Sequence, residues 1–106
     1  MSGIVSVYAT FGSAEEAERI GRQMVEERQA ACVNILGPCR SIYRWQGEVE
    51  EADEVAAIFK TTAGNAPLLL KRIAALHSYD LPSAVVWPIE QLGETYRQWV
   101  VANSGR

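Results

Sequence analysis

The stretch that decides the fold covers residues 31–62 and reads ACVNILGPCRSIYRWQGEVEEADEVAAIFKTT. Its first half is mostly apolar and aromatic, and Gln46-Gly47 has the composition of a tight turn because glycine adopts positive φ readily. The return arm is apolar again from Val55 to Phe59 and ends near Thr62. We therefore predict a hairpin of two long arms. Its first arm, over 30–35 and 39–45, is interrupted at Gly37-Pro38 because proline cannot donate to a sheet ladder.

This hairpin is too long for one small domain. The first arm would span about 50 Å if it were straight, at ~3.3 Å per residue. A compact chain of 106 residues has a diameter of about 33 Å. Because an isolated two-stranded ribbon is only marginally stable and its free edge invites pairing, we predict that neighbouring subunits cover it.

The remaining elements follow from periodicity and end signals. Ser13 precedes Glu16 by three positions, which is a capping-box pattern, and Asn65 is a plausible N-cap for a second helix. The predicted elements are strands over 4–10 and 84–89, helices over 14–28, 65–76 and 93–102, a loop over 77–82 and a frayed tail over 103–106.

The element order is βαββαβ followed by a helix, which is the ferredoxin-like α+β arrangement. Right-handed crossovers place the first and third strands in the centre of the sheet, with the first two helices on one face. We predict a single domain over residues 1–106. The opposite sheet face also carries apolar residues, which again favours a partner chain.

Composition argues against several classes of function. The net charge is -3 and no basic run is present, so the surface does not suit nucleic acid. Apolar runs of four or five residues are too short for a membrane span. The N-terminus has neither the basic nor the long apolar region of a secretory signal, so we predict a cytoplasmic protein.

Five segments carry a family resemblance. Residues 26–35 resemble EExLAACVNI, residues 41–47 resemble SxYxWxG, and residues 59–62 resemble an IKT strand end. Residues 77–82 resemble HPYxxP with Ser78 in place of the proline, and residues 96–99 resemble YxxW. In this order and spacing they resemble the CutA family of divalent-cation tolerance proteins.

This resemblance implies a homotrimer with the architecture of the PII signalling proteins. It implies that subunits pair strands edge to edge and that the long hairpin reaches a neighbour. It also implies a role in divalent-cation tolerance, chiefly towards copper, and no enzymatic activity.

The candidate metal ligands are His77, the only histidine, and Cys32. Imidazole and thiolate are donors that copper prefers. Copper-binding members of the family carry a cysteine and a second histidine at positions that are Ala9 and Leu76 here. The alternatives are that His77 hydrogen-bonds at the end of the second helix and that Cys32, like Cys39, is a small apolar residue.

A second candidate site is a cleft between subunits, lined by Tyr43, Trp45, Lys60, Tyr79 and Asp80. These side chains would either bind a small anion or metabolite or stabilise the trimer, since Trp and Tyr are enriched at interfaces. The neighbouring acidic run over residues 48–54 is interpreted as a solvated face, with weak attraction of hard cations as the alternative.

Acylphosphatases share this topology and are the enzymatic alternative. They need a glycine-rich anion loop with a nearby arginine, whereas residues 11–13 contain one glycine and the first arginine is Arg19, followed by Arg22. The sequence therefore predicts a metal-responsive CutA-like trimer that is not an enzyme. The alternative is a PII-like sensor or scaffold that binds a small molecule or a partner protein at its clefts.

Overall fold

Four strands and three helices are present in the computed structural model, which describes residues 2–105. The strands are β1 (Ile4–Phe11), β2 (Cys32–Trp45), β3 (Glu48–Thr62) and β4 (Ala84–Ile89), and the helices are α1 (Ala14–Glu26), α2 (Ala66–Leu76) and α3 (Glu94–Asn103).

The strands form one antiparallel sheet in the order β2-β3-β1-β4. β1 pairs along its whole length with β3, from Ile4 opposite Thr62 to Phe11 opposite Val55. The first and third strands are therefore central, and the predicted ferredoxin-like α+β fold is confirmed.

The main core lies between one face of the sheet and helices α1 and α2. Alternate residues of β1 point into it, as a strand period of two requires. Its largest fully buried side chains are Phe11, Phe59, Ile20, Met24, Leu69, Ile73 and Val7. The Ser13 hydroxyl accepts a hydrogen bond from the Glu16 amide at 3.1 Å, so the predicted start of α1 is confirmed.

The predicted end of α1 and the predicted frayed tail were both wrong, and the two segments are in contact with each other. α1 ends at Glu26 instead of residue 28, because Arg28 adopts a φ of 62° that a helix does not allow. The Arg28 guanidinium donates to the Ala102 carbonyl at 2.7 Å, and the Gly105 amide donates back to the Arg28 carbonyl at 2.6 Å. The tail is therefore anchored through residue 105 and Ser104 is buried, while Arg106 lies outside the described residues.

Two other predictions need correction. The Asn65 side chain does not cap α2, because its amide donates to the Gln29 carbonyl at 2.7 Å. Gly37-Pro38 does not interrupt β2 either. It forms a bulge in one continuous strand, since Ile35 lies opposite Ala57 and Gly37 lies opposite Ala56, which leaves Leu36 as the extra residue.

The hairpin projects beyond the rest of the sheet, as predicted. β1 ends opposite Val55, but β2 and β3 continue together from Cys39 opposite Glu54 to Trp45 opposite Glu48. We call this two-stranded segment, residues 39–54, the ribbon. It makes the chain 45 Å long but only 26 × 22 Å across. No helix in the described part of the chain is long and apolar enough to cross a membrane.

Candidate functional site

His77 ends α2 and turns its ring into the protein, where the side chain is fully buried against Phe11. Its Nε2 lies 2.8 Å from the Thr10 carbonyl, which can only accept, so Nε2 carries the proton. Its Nδ1 accepts the Tyr79 amide at 3.1 Å. Both nitrogens of the neutral ring are therefore already in hydrogen bonds.

Glu16 holds the loop that follows His77. Its carboxylate accepts the Ser78 amide at 2.8 Å, the Ser78 hydroxyl at 3.0 Å and the Gly12 amide at 3.4 Å. Burial raises the pKa of Glu16, but the hydrogen bonds that its carboxylate accepts from Ser78 and Gly12 outweigh this effect, so the pKa lies below its usual value. Ser78 stands where the family pattern has proline, which could not donate this amide bond.

Glu54 joins the same loop to the base of the ribbon. Its carboxylate accepts the Tyr79 hydroxyl at 3.0 Å and the Ser41 hydroxyl. Burial and then the bond to Glu54 raise the pKa of Tyr79 to about 12, with a smaller contribution from Tyr43. The acidic run over residues 48–54 was predicted to be a solvated face. Glu54 does not fit this prediction, because it is only 9% exposed.

The sheet face opposite α1 and α2 carries half-exposed aromatic side chains. Tyr8 stacks on Trp87 at 4.9 Å between ring centroids, and Tyr96 stacks on Trp99 at 5.7 Å. The Cys32 sulfur lies 3.5 Å from the Tyr96 hydroxyl, and this bond, followed by burial, raises the pKa of Tyr96 to about 12. α3 covers only one end of this face, where Val100 is buried.

The two predicted metal ligands lie apart. Cys32 is opposite Lys60 on the α3 side of the sheet, whereas His77 packs on Phe11 in the main core. Within residues 2–105 no group of three or more His, Cys, Asp and Glu side chains could hold a metal ion. A copper site formed by one chain does not fit these residues, because the His77 nitrogens are occupied and the thiol is on the other face.

The predicted cleft residues fall into three places. Tyr43 and Trp45 are exposed on the same face of the ribbon, while Tyr79 meets the ribbon at its base. Lys60 is half-buried on the open face of the sheet, and Asp80 is exposed in the loop. Tyr79 is linked through Glu54 to Ser41, which stands two positions before Tyr43 on the same face of the ribbon.

Sequence reasoning missed Glu16 and Glu54 as members of the site. Glu16 was predicted only to cap α1, and the capping-box spacing gives no sign that its carboxylate reaches Ser78, 62 positions later. The sequence does contain an indication that Glu54 is partly buried, because it stands directly before the apolar run that begins at Val55, where the ribbon meets the sheet.

Comparison with known proteins then assigns the family. The family model described as CutA1 divalent ion tolerance protein matches residues 5–103. The chain belongs to the CutA1 family. The resemblance seen in the five sequence segments is thereby confirmed.

The bacterial and archaeal relatives match over nearly their whole length, whereas the chain spans only 61% of the protein CutA of Mus musculus and 54% of that of Homo sapiens. The divalent-cation tolerance protein CutA of Thermus thermophilus is 46% identical over 93% of this chain and 96% of its own. A solved structure of the divalent cation tolerance protein Cut A1 from Thermus thermophilus superposes with a TM-score of 0.93 at 44% identity, covering 96% of this chain and 99% of that one. The structure named periplasmic divalent cation tolerance protein CutA from Archaeoglobus fulgidus gives 0.88 at 37% identity, covering 92% and 94%.

Proposed function

We propose that this CutA1 family member is a cytoplasmic homotrimer that contributes to divalent-cation tolerance, with copper as the main cation, and that it is not an enzyme. The observation that carries the proposal is the ribbon, in which all residues from 42 to 51 are exposed. Two strands with solvent on both faces are marginal on their own. Contacts with a sister chain would supply the missing burial.

The open sheet face supports the same assembly. Tyr8, Trp87, Tyr96 and Trp99 form two stacked pairs there, and Trp87 remains 47% exposed. Apolar patches of this kind mark association surfaces. A trimer would bury both the ribbon and this face, as a threefold arrangement of a self-complementary chain allows.

The proposed copper response is weak binding, because a metal at His77 must replace a hydrogen bond to Thr10 or Tyr79. Calorimetric titration of the assembled protein with copper tests it. We expect micromolar or weaker affinity that falls in His77→Ala or Cys32→Ser. Absence of binding, or binding that both variants retain, would show that these residues do not carry a copper role.

A PII-like sensor function is the second candidate, and the ribbon face that carries Tyr43 favours it, because Ser41 on that face shares the Glu54 carboxylate with Tyr79. Exposed aromatic side chains beside a buried carboxylate, Glu54, would border a cleft between subunits. Native mass spectrometry of the purified assembly tests this function. A small molecule that co-purifies in fixed ratio and is lost in Tyr43→Ala supports the sensor over the metal response.

The proposed absence of catalysis rests on the loop after β1. The Gly12 amide, which an anion would need, already donates to Glu16, and Arg19 pairs with Glu15 at 3.7 Å on the surface. Turnover of an acyl phosphate that disappears in Arg19→Ala or Arg22→Ala would overturn this part of the proposal.

The proposed cytoplasmic location is open to a direct test, because the Archaeoglobus relative carries the word periplasmic in its name. Fractionation of source cells with an antibody to the chain is the measurement. We expect the protein to accompany cytoplasmic markers, and release with the periplasmic fraction would contradict the proposal.

A further inference from the structure

The ribbon leaves the body of the protein along one line. Val55 is the last residue of β3 that β1 covers, and the β2 bulge lies beside it, with Gly37 opposite Ala56. Gly37 has a φ of 104°, which side chains larger than hydrogen rarely allow, and Leu36 is unpaired. Bulges bend and twist the strand that contains them. The one irregularity in the β2–β3 pairing therefore stands where the support from β1 ends.

A hydrogen-bonded group spans this line. Glu54 is the first ribbon residue beyond Val55, and its carboxylate accepts hydroxyl bonds from Ser41 on β2 and from Tyr79 in the loop after α2. We call Ser41, Glu54 and Tyr79 the clasp. Glu54 is buried while residues 42–51 are exposed, so the clasp is where the ribbon meets the body.

Tyr79 is itself fixed to the body. Its amide donates to His77, whose ring is bonded to the end of β1. Its hydroxyl packs against Gly12, since a Cβ added to Gly12 would lie 3.2 Å from the Tyr79 hydroxyl oxygen. The Tyr79 hydroxyl is therefore held by α2 and β1, and through Glu54 it is joined to both ribbon strands.

We propose that the ribbon is a lever that pivots at the Gly37 bulge and that the clasp holds it at one angle to the sheet. The functional role of a fixed ribbon angle rests on the proposed assembly, because a ribbon held at one angle is pre-organised to contact a neighbouring subunit. From Glu54 to the tip the lever is about 20 Å long at ~3.3 Å per residue. A rotation of about 10° at the base would move Trp45 by about 3.5 Å on that lever.

The test is fluorine NMR of protein labelled with 5-fluorotryptophan, which gives one signal each for Trp45, Trp87 and Trp99. In Tyr79→Phe we expect the Trp45 signal to shift or broaden while the other two stay in place. Amide exchange across residues 48–54 should also rise at least about tenfold, the factor that corresponds to the low end for a hydrogen bond to a charged group. Trp45→Phe assigns the ribbon signal.

Thr61→Val is the matched control, because this hydroxyl is also buried in a hydrogen bond, to the Gln29 carbonyl at 2.9 Å, but lies at the end of β3 opposite to the ribbon. It should leave the Trp45 signal and the exchange of residues 48–54 unchanged. Ser41→Ala is the second variant, since it removes the other half of the clasp without touching the loop. It should reproduce the effect of Tyr79→Phe.

The outcomes separate the lever from the assembly. If Trp45 and residues 48–54 are unchanged in both Tyr79→Phe and Ser41→Ala, the clasp does not set the ribbon angle and the inference is overturned. The mass of the unaltered protein reports on the trimer alone. A monomeric wild-type protein whose Trp45 signal moves in Tyr79→Phe would retain the lever and remove its proposed purpose.

Discussion

Removal of the Glu16 carboxylate should destabilise the protein far more than removal of its neighbour. Glu16→Ala leaves three donors, the amide and hydroxyl of Ser78 and the amide of Gly12, without their acceptor. A hydrogen bond to a charged group contributes about 1.5–3 kcal/mol. Since water reaches the exposed Ser78, we take the low end for two such bonds and expect a loss of about 3 kcal/mol.

Urea denaturation at fixed protein concentration and neutral pH measures this loss. In a separate thermal denaturation, the melting temperature should fall by about 12 °C, at roughly 4 °C per kcal/mol for a chain of this size. Glu15→Ala is the control, because the Glu15 side chain is 80% exposed and its ion pair with Arg19 lies on the surface, for which we expect about 0.5 kcal/mol or less. Equal stabilities of the two variants would refute the role assigned to Glu16.

The same carboxylate gives a pH dependence with a defined sign. The folded pKa of Glu16 lies below its unfolded value of 4.5. Its stabilising contribution is therefore fully present above pH 4.5 and is lost as the pH falls through the folded pKa. The stability difference between the wild type and Glu16→Gln should shrink in that acidic range, and a difference that stays constant would contradict this linkage.

Three further predictions concern the ribbon, the tail and the tyrosines. Trp45→Ala should raise the dissociation constant of the proposed trimer at least about 30-fold by sedimentation, the effect expected for loss of an interface anchor. Ile42→Ala, on the opposite face of the ribbon, should have a smaller effect. Arg28→Ala should cost about 1–2 kcal/mol, from two lost bonds to the C-terminal carbonyls; unchanged amide exchange at the end of α3 would contradict this. In an ultraviolet titration Tyr79 and Tyr96 should ionise near pH 12, and Tyr79→Phe should remove one of these late transitions. Because the folded pKa of Tyr79 exceeds 10, its contribution to stability is present below pH 10 and should be lost between about 10 and 12.

The sequence predicted the elements whose signals are local. Ser13 and Glu16 marked the start of α1, and the apolar run around Phe59 with the Gln46-Gly47 turn marked the long hairpin. Its length against the expected diameter of the chain also predicted the overhang that the structure has. Each of these arguments needs only periodicity, end residues and chain dimensions.

The features that the sequence could not predict depend on contacts between distant segments. The tail has the composition of a free end, yet Arg28 anchors Gly105 across 77 positions. Asn65 has a capping residue type but donates to Gln29, an acceptor that only the folded chain supplies. The burial of Glu54 likewise depends on Tyr79 arriving from another element.

The central claim is that sister chains cover the exposed ribbon and the aromatic face of the sheet. Sedimentation equilibrium of the wild-type protein at micromolar concentration tests it most directly. We predict a single species of three times the chain mass of 11.7 kDa, or about 35 kDa. A folded species at 11.7 kDa that persists as the concentration is raised would contradict the account.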